Sequence, residues 1–534
     1  MSAEEATSTS RTNQGAESGR RTGRTRRRGG GGVDSSSRTG DGLKQLPWQR
    51  FQNMYAPMEP LSADQVEDIH NASMTLLENI GIEVLNDRAL DLFEKAGAKV
   101  DHSSNMVYLD RGLVEEQVAK APSEVVITPR NPDRWIRLGG NDINFAFVSG
   151  APNLHDRING RRAGNWEDFR KCMKFAQSFN CVNFLGNQVA PPIEMPVNNR
   201  HLDTYKASLT LTDKVFSAVS IGRGRCIDHV NMVARARGIS VSEMEKSVGS
   251  ITNININSPR KLDNEMCEGA MAMAENNQAT IVTPFTLMGA MTPITMAAAL
   301  TQGNAEALIG IVLTQLVRPG APVLYGTFTS NVDMRSGAPT FGTPENAKAN
   351  LAGGQLARRY NLPQRTSACN ASNTVDGQAT YETMMALWSA VMAHGNVIMH
   401  SVGWLEGGLV ASFEKMVLDA EMIQHITGYL SPIDTSPEAI GLDAIEGVAP
   451  GGHFFGSPHT MERYETAFYS PFLSDWTNNE AWQQAGAKDT TERATEIWQQ
   501  LLRDYEQPAM DPARVEALDE YIAKRKEEIG SGDP

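Results

Sequence analysis

The chain has no Cys-x-x-Cys pair, and its five cysteines (Cys172, Cys181, Cys226, Cys267 and Cys369) are scattered across 534 residues. An odd, dispersed set argues against a disulfide framework or a thiolate metal site. It points to a reducing compartment, with each cysteine serving as a small core residue. No run of 18 apolar residues occurs, so no segment is expected to span a membrane. The N-terminus, Met-Ser-Ala-Glu-Glu, lacks an apolar signal core, and the expected location is cytoplasmic. Positive charge is also short. Forty-nine Lys and Arg against 63 Asp and Glu leave a formal charge of −14, which disfavours nucleic acid as a partner of the folded body. The ten histidines form no His-x-x-x-His or His-x-x-Glu pair in a suitable context, so no bound metal is expected. His453 and His459, six apart in a Gly-rich stretch, read as loop structure or a substrate contact. No strand runs into a Gly-x-Gly-x-x-Gly turn, and the GRGR at Gly222–Arg225 lacks the third glycine of a nucleotide cradle.

What is present supports a large core: 40% apolar residues and 8 Trp. The first 46 residues stand apart. They hold Arg20, Arg21, Arg24 and Arg26–Arg28 ahead of a Gly29–Gly32 run, with too little apolar surface to fold, and read as a disordered tail. Residues 47–140 read as a small α+β region. Ser62 is placed to cap a first helix that Gly81 stops, and a second helix ends at Gly97.

From 141 to 432 the chain repeats a short β-rich run, a polar or Gly/Pro turn and a longer helical stretch. The expected strands are Asn144–Val148, Cys181–Val189, Lys214–Ile221, Ile251–Asn257, Thr280–Leu287, Pro322–Thr327, Arg365–Cys369 and Asn396–Val402. Eight such units make a (β/α)8 TIM barrel the expected fold, with an open doubly wound sheet as the alternative. Residues 433–534 read as a helical region packing on the barrel.

Barrel chemistry sits at the C-terminal ends of the strands. Those ends hold Phe147 and Ser149, Asn187 and Gln188, Ser220, Asn257, Phe285 and Met288, Phe328, Asn373 and Asp376, then His400 and Trp404. Aromatics and amides dominate. Only Asp376, His400 and the nearby Glu406 titrate within reach of neutral pH, so the rim suits a ligand that is held rather than repeatedly protonated. Each residue also has a structural reading: the three Phe can fill a top core layer, His400 can be a satisfied core histidine, and Asp376 can cap the helix that begins near Gln378.

Three stretches carry a resemblance to a known family. They are LSADQVEDIHNASMTLLENIGIEV (61–84), SNTVDGQATYET (372–383) with GNVIMHSVGWLEGGL (395–409), and GGHFFGSPHTMERYETAFYSPFLSDWTNNEAWQQAGAKDTTERA (451–494). Together they resemble the trimethylamine methyltransferase superfamily over essentially everything after Pro47. The resemblance implies a (β/α)8 barrel that moves a methyl group from a methylamine to the cobalt of a corrinoid on a separate small protein. Founding members carry pyrrolysine near the end of the seventh strand; the Asn370–Asp376 region here holds ordinary residues. That departure is similar to the non-pyrrolysine branch, which demethylates quaternary amines such as glycine betaine.

The implied function is therefore a quaternary amine:corrinoid methyltransferase. Cobalamin or another corrinoid would be supplied free or by a partner protein, with no bound metal, no S-adenosylmethionine and no membrane partner, and a homo-oligomer is expected. A quaternary ammonium has no N–H and leaves as a neutral amine, so aromatic faces and a carboxylate would hold it and no general acid is needed. The candidate residues are Asp376 and His400 for catalysis. Phe147, Asn257, Phe285, Phe328, Arg335, Asn373, Gln378, Trp404 and His453 are the candidates for substrate binding, with Arg335, Asn257, Gln378 and His400 as donors to a betaine carboxylate. A barrel lyase or isomerase using Asp376 or His400 as base, and a non-catalytic quaternary-amine binding protein, are the rival functions.

Overall fold

Among the described residues, eight parallel strands close on themselves. They are β1 (Asp142–Phe147), β2 (Phe184–Leu185), β3 (Val215–Ala218), β4 (Ile251–Ile256), β5 (Ala279–Met288), β6 (Val323–Gly326), β7 (Gln364–Ser367) and β8 (Val397–Val402). Each pairs with its sequence neighbours, and β8 returns to β1 through Val397↔Asn144 and Ile398↔Phe145. The computed structural model describes residues 43–186 and 188–534. The expected disordered tail lies almost wholly outside that range, as does Asn187.

A long helix follows every strand: α1 (Trp166–Ser178), α2 (Arg200–Leu211), α3 (Arg223–Arg237), α4 (Asn264–Glu275), α5 (Met296–Val317), α6 (Pro344–Arg359), α7 (Gly377–Met392) and α8 (Phe413–Tyr429). Local chemistry sets their starts. Asn165, Asp263, Thr343, Asp376 and Ser412 each accept a hydrogen bond from a backbone N–H of the first turn. Both faces of the strands are covered, by helices outside and by side chains inside, and most strand residues are buried. All five cysteines are free and buried.

The N-terminal region caps one side of the barrel. Ser62 forms a reciprocal capping box with Gln65 at the head of helix Ala63–Thr75. This helix and the helices Asp87–Lys95 and Arg111–Val118 pack on α5. That contact explains why α5 has no polar face. Among the described helices it is long and apolar enough to cross a membrane by length and composition, yet most of it is buried in this protein. The strand Phe51–Gln52 then adds antiparallel to β1.

At the other end of the chain, α9 (Thr490–Arg503) packs on α8 and α1, and α10 (Pro512–Ile529) packs on α3 and α2. Buried Asp228 on α3 anchors α10, accepting from Tyr521 at 2.6 Å, Arg525 at 2.7 Å and His201 at 2.8 Å. Glu414 on α8 anchors α9, accepting from the Trp498 indole at 2.8 Å.

Candidate active site

Two short β extensions build the top of the barrel. The chain beyond β6 forms a strand, Phe328–Val332, which pairs in parallel with the upper half of β5 in the register Phe285↔Phe328. That register sets two aromatic side chains next to each other on one face, with ring centroids 4.8 Å apart. An antiparallel partner, Pro339–Thr340, then delivers Phe341, whose ring stacks 5.4 Å from Phe328. On the far side the chain leaves β8 through Trp404–Leu405, paired with Val410–Ser412. Trp404 stands 6.1 Å from Phe341 and 6.3 Å from Phe328.

These rings wall a cavity of about 280 Å³ inside the C-terminal end of the barrel. Its lower part is polar: Ser217 from β3, Asn253 and Asn255 from β4, and Arg365 from β7. Gly150, Gly407, Gly408 and the exposed Leu409 complete the lining toward solvent. No Asp or Glu is among the described lining residues. A side chain on Gly408 would meet the Trp404 indole within 2.5 Å, so this glycine, at φ +103°, lets the indole lie against the backbone.

His400 reaches the cavity through a break in strand regularity. It has φ +61°, and the β1–β8 register shifts between Ile398 and Val402. A bulge of this kind re-aims a side chain. Met399 and His400 therefore both line the cavity although they are sequence neighbours. The His400 ring is 4.1 Å from Trp404 and 5.9 Å from Phe328. Both ring nitrogens face donors: Nε2 lies 3.4 Å from the Arg365 guanidinium and Nδ1 lies 3.5 Å from the Ser149 backbone N–H. Burial, and then the Arg365 charge, push the His400 pKa well below its ordinary value. The ring is neutral at physiological pH.

The sequence-predicted residues separate into two groups. Ser149, Phe285, Phe328, His400 and Trp404 meet at the cavity. Phe147 is buried in the apolar core at the end of β1 and does not line it. Asn257 lies just past β4, exposed, donating to Asp263 at 2.8 Å. Arg335 is in an exposed turn beside Asp333. Asn373 is exposed, and Gln378 donates to Glu382 on its own helix at 2.8 Å. His453 is exposed beside Phe455 in the C-terminal region. Asp376 is the N-cap of α7, accepting from the Ala379 N–H at 3.1 Å.

The amide-rich segment does its work behind the wall. Buried Asn370 donates to the Trp404 carbonyl at 2.6 Å and accepts from the Trp404 indole through its own carbonyl at 3.1 Å. Ser372 and Asn370 carbonyls take the N–H groups of Glu406 and Gly407. Glu382 in turn holds the N–H groups of Ala371 and Ser372. The segment thus locks the position of Trp404 and the glycine pair.

Five polar or aromatic lining residues escaped the sequence reading. Arg365 and Ser217 sit within strands rather than at their ends. Asn253 and Asn255 stand in the alternating ITNININ stretch, a pattern that does signal one polar face of a strand. Phe341 comes from a loop. A second cleft of about 330 Å³, lined by Ser123, Glu124, Asn141, Gln364, His394 and Asn396 among others, opens at the opposite end of the barrel. It has no aromatic wall, and that face of a barrel serves stability. Among the described residues no group of three or more His, Cys, Asp or Glu is placed to hold a metal ion.

The profile described as trimethylamine methyltransferase (MTTB) matches residues 26–530 of the chain. A glycine betaine methyltransferase of Desulfitobacterium hafniense (strain Y51) is 36% identical over 471 residues, spanning 88% of this chain and 98% of its own length. A trimethylamine methyltransferase MttB of Desulfitobacterium hafniense (strain DSM 10664 / DCB-2) is 29% identical over 475 residues, 88% of this chain and 94% of its own. A proline betaine:corrinoid methyltransferase of Eubacterium limosum is 25% identical over 496 residues, 89% of this chain and 98% of its own.

Proposed function

The chain belongs to the trimethylamine methyltransferase family, and from that premise we propose that it takes a methyl group from a quaternary amine and passes it to the reduced cobalt of a corrinoid. It is a methyltransferase. The observation that carries the quaternary donor is the wall of Phe285, Phe328, Phe341 and Trp404 around a cavity whose lining holds no carboxylate. Ring faces attract a cation without needing an N–H, at roughly 0.5–2 kcal/mol each.

The chemistry asks little else of the protein. One C–N bond breaks, its electron pair stays on nitrogen as a neutral tertiary amine, and the methyl group moves to the acceptor. No proton is transferred. Burial and the Arg365 charge make His400 a poor proton acceptor, and no carboxylate is among the described lining residues, whereas a lyase or isomerase would need an effective base in the cavity. The residues of the chain contribute orientation and exclusion of water, worth roughly 7–11 kcal/mol for well-placed partners. Asn370 and Gly408 serve this end by fixing Trp404.

A bound corrinoid would supply a strongly nucleophilic metal centre as the methyl acceptor. The residues present fit its approach from the open side: Gly150, Gly407 and Gly408 place bare backbone there. We assign the corrinoid to a separate protein, with neither S-adenosylmethionine nor a resident metal taking part. The test mixes protein, glycine betaine or proline betaine, and cob(I)alamin, and follows methylcobalamin by absorbance. Methylcobalamin and one equivalent of tertiary amine are expected. No methylcobalamin across a panel of quaternary amines, with free cobalamin or with corrinoid proteins, overturns the proposal.

A further inference from the structure

We propose that Arg365 is the receptor for a substrate carboxylate, which makes the site selective for short zwitterions, in which one or two carbons separate the carboxylate from the quaternary nitrogen, over cations that lack a carboxyl group. The proposal rests on the quaternary-amine reading above and deepens it.

Arg365 lies within β7, is 3% exposed, and lines the cavity. A guanidinium has five N–H donors. One Nη1–H goes to the Thr327 carbonyl at 3.0 Å, and one Nη2–H faces His400 Nε2 at 3.4 Å. The Nε–H has no acceptor. Neither partner carries negative charge.

Several other buried charges have counter-charges, and buried Lys214, which has no ion-pair partner among the described residues, donates to the Ala176 and Phe179 carbonyls at 2.7 Å. Asp228 is met by Arg525, Lys415 by Asp419, and Asp156 and Asp168 by Arg162. An unpaired buried charge is costly, so proteins pair it. Arg365 is held in place, faces a cavity and lacks its counter-ion. A carboxylate in that cavity would accept the idle donors in the bidentate geometry that guanidinium favours.

A cavity containing one fixed positive charge and no negative one repels a bare cation such as choline or tetramethylammonium. A zwitterion brings a net charge of zero. The guanidinium carbon sits 5.0 Å from the Phe328 ring centroid, and the Phe341 and Trp404 centroids lie 5.4 and 6.3 Å from that same ring. Anion and cation subsites are therefore immediate neighbours, which suits a short spacer.

The experiment is calorimetry on the full-length protein with four probes: glycine betaine, choline, tetramethylammonium and acetate. Wild type is compared with Arg365→Met, which keeps length and packing but removes charge, and with Arg365→Lys, which keeps charge but loses the fork. Melting temperatures establish that each variant is folded. Wild type is expected to bind glycine betaine at least tenfold more tightly than choline. Arg365→Met is expected to lose about 100-fold for glycine betaine while binding choline and tetramethylammonium as well as, or better than, wild type. Arg365→Lys should fall between. Equal affinity of wild type for glycine betaine and choline, or glycine betaine affinity unchanged in a folded Arg365→Met, overturns the inference and leaves the quaternary-amine reading standing. Acetate binding that depends on Arg365, with no binding of any quaternary amine, supports the inference and overturns that reading.

Discussion

At the scale of single residues, position along a strand matters more than residue type. Asp376 is the one carboxylate in an amide-rich loop after β7, yet its side chain is spent on the α7 N-terminus. Asn caps a helix about as well as Asp, whereas Ala loses the cap at about 1 kcal/mol. Asp376→Asn is therefore expected to leave both melting temperature and methyl-transfer rate near wild type, and Asp376→Ala to lower the melting temperature by a few degrees with kcat/KM unchanged. Thermal unfolding beside a turnover assay checks both; a large loss of kcat/KM in Asp376→Asn would place the carboxylate in the chemistry. Arg365 is the opposite case. It sits in QRTS, a stretch with no outward mark of function, and only its inward direction brings it to the cavity.

At the scale of elements, the turn after β8 depends on a buried ion pair. Lys415 and Asp419 are one turn apart on α8, and both are buried. Lys415 also donates to Thr383 on α7 at 2.9 Å, and Asp419 accepts from the Gly403 N–H at 2.7 Å. Gly403 precedes Trp404, so the pair links two helices to the aromatic wall. Removing one partner leaves a buried charge uncompensated, at about 3–5 kcal/mol. Lys415→Met is expected to lower stability by that amount in urea titration and to weaken substrate binding as the Trp404 turn loosens. A variant that unfolds at the wild-type urea midpoint would show that the pair does not support the turn.

The strand elements themselves were legible, since alternation of short β-rich runs with helical stretches marks all eight. Their ends were less so. Cys181–Val189 reads as nine strand residues, but only Phe184–Leu185 pair in the barrel. Gly186 explains part of this: a side chain there would meet Ser149 within 2.0 Å, so the strand passes its neighbour too closely to continue regularly.

At the scale of the whole molecule, buried neutral histidines tie stability to pH. His229 is fully buried against Tyr205 and Phe216, bonded to Ser250, and burial pushes its pKa down to about 3. His400 is likewise held neutral. The unfolded chain takes up a proton on each near pH 6.5. Below that pH the unfolded state binds more protons than the folded state, so stability falls as pH falls. Each such histidine contributes about 1.4 kcal/mol per pH unit until its folded pKa is reached. Buried Glu306, whose carboxyl is raised by desolvation, works in the opposite direction nearer its own pKa. His229→Gln isolates one contribution. Between pH 6 and pH 5 its unfolding free energy should fall less steeply than wild type by about 1.4 kcal/mol per unit, and parallel slopes would mean that His229 is protonated in the folded state.

Periodicity and composition determined the barrel, because strand–helix alternation is a local property that each segment carries alone. They also marked the aromatic rim, since Phe285, Phe328 and Trp404 fall where strands end. Tertiary structure alone decided which residues share the cavity. Phe341 arrives through the pairing of two strands that flank a turn, and His400 through a left-handed residue that breaks the two-residue alternation of β8. Arg365 gains its meaning from a vacancy of charge around it, and the absence of a carboxylate in a cavity wall is a property of seven strands and their loops at once. Contacts of this kind join residues far apart in sequence, so no window along the chain contains them.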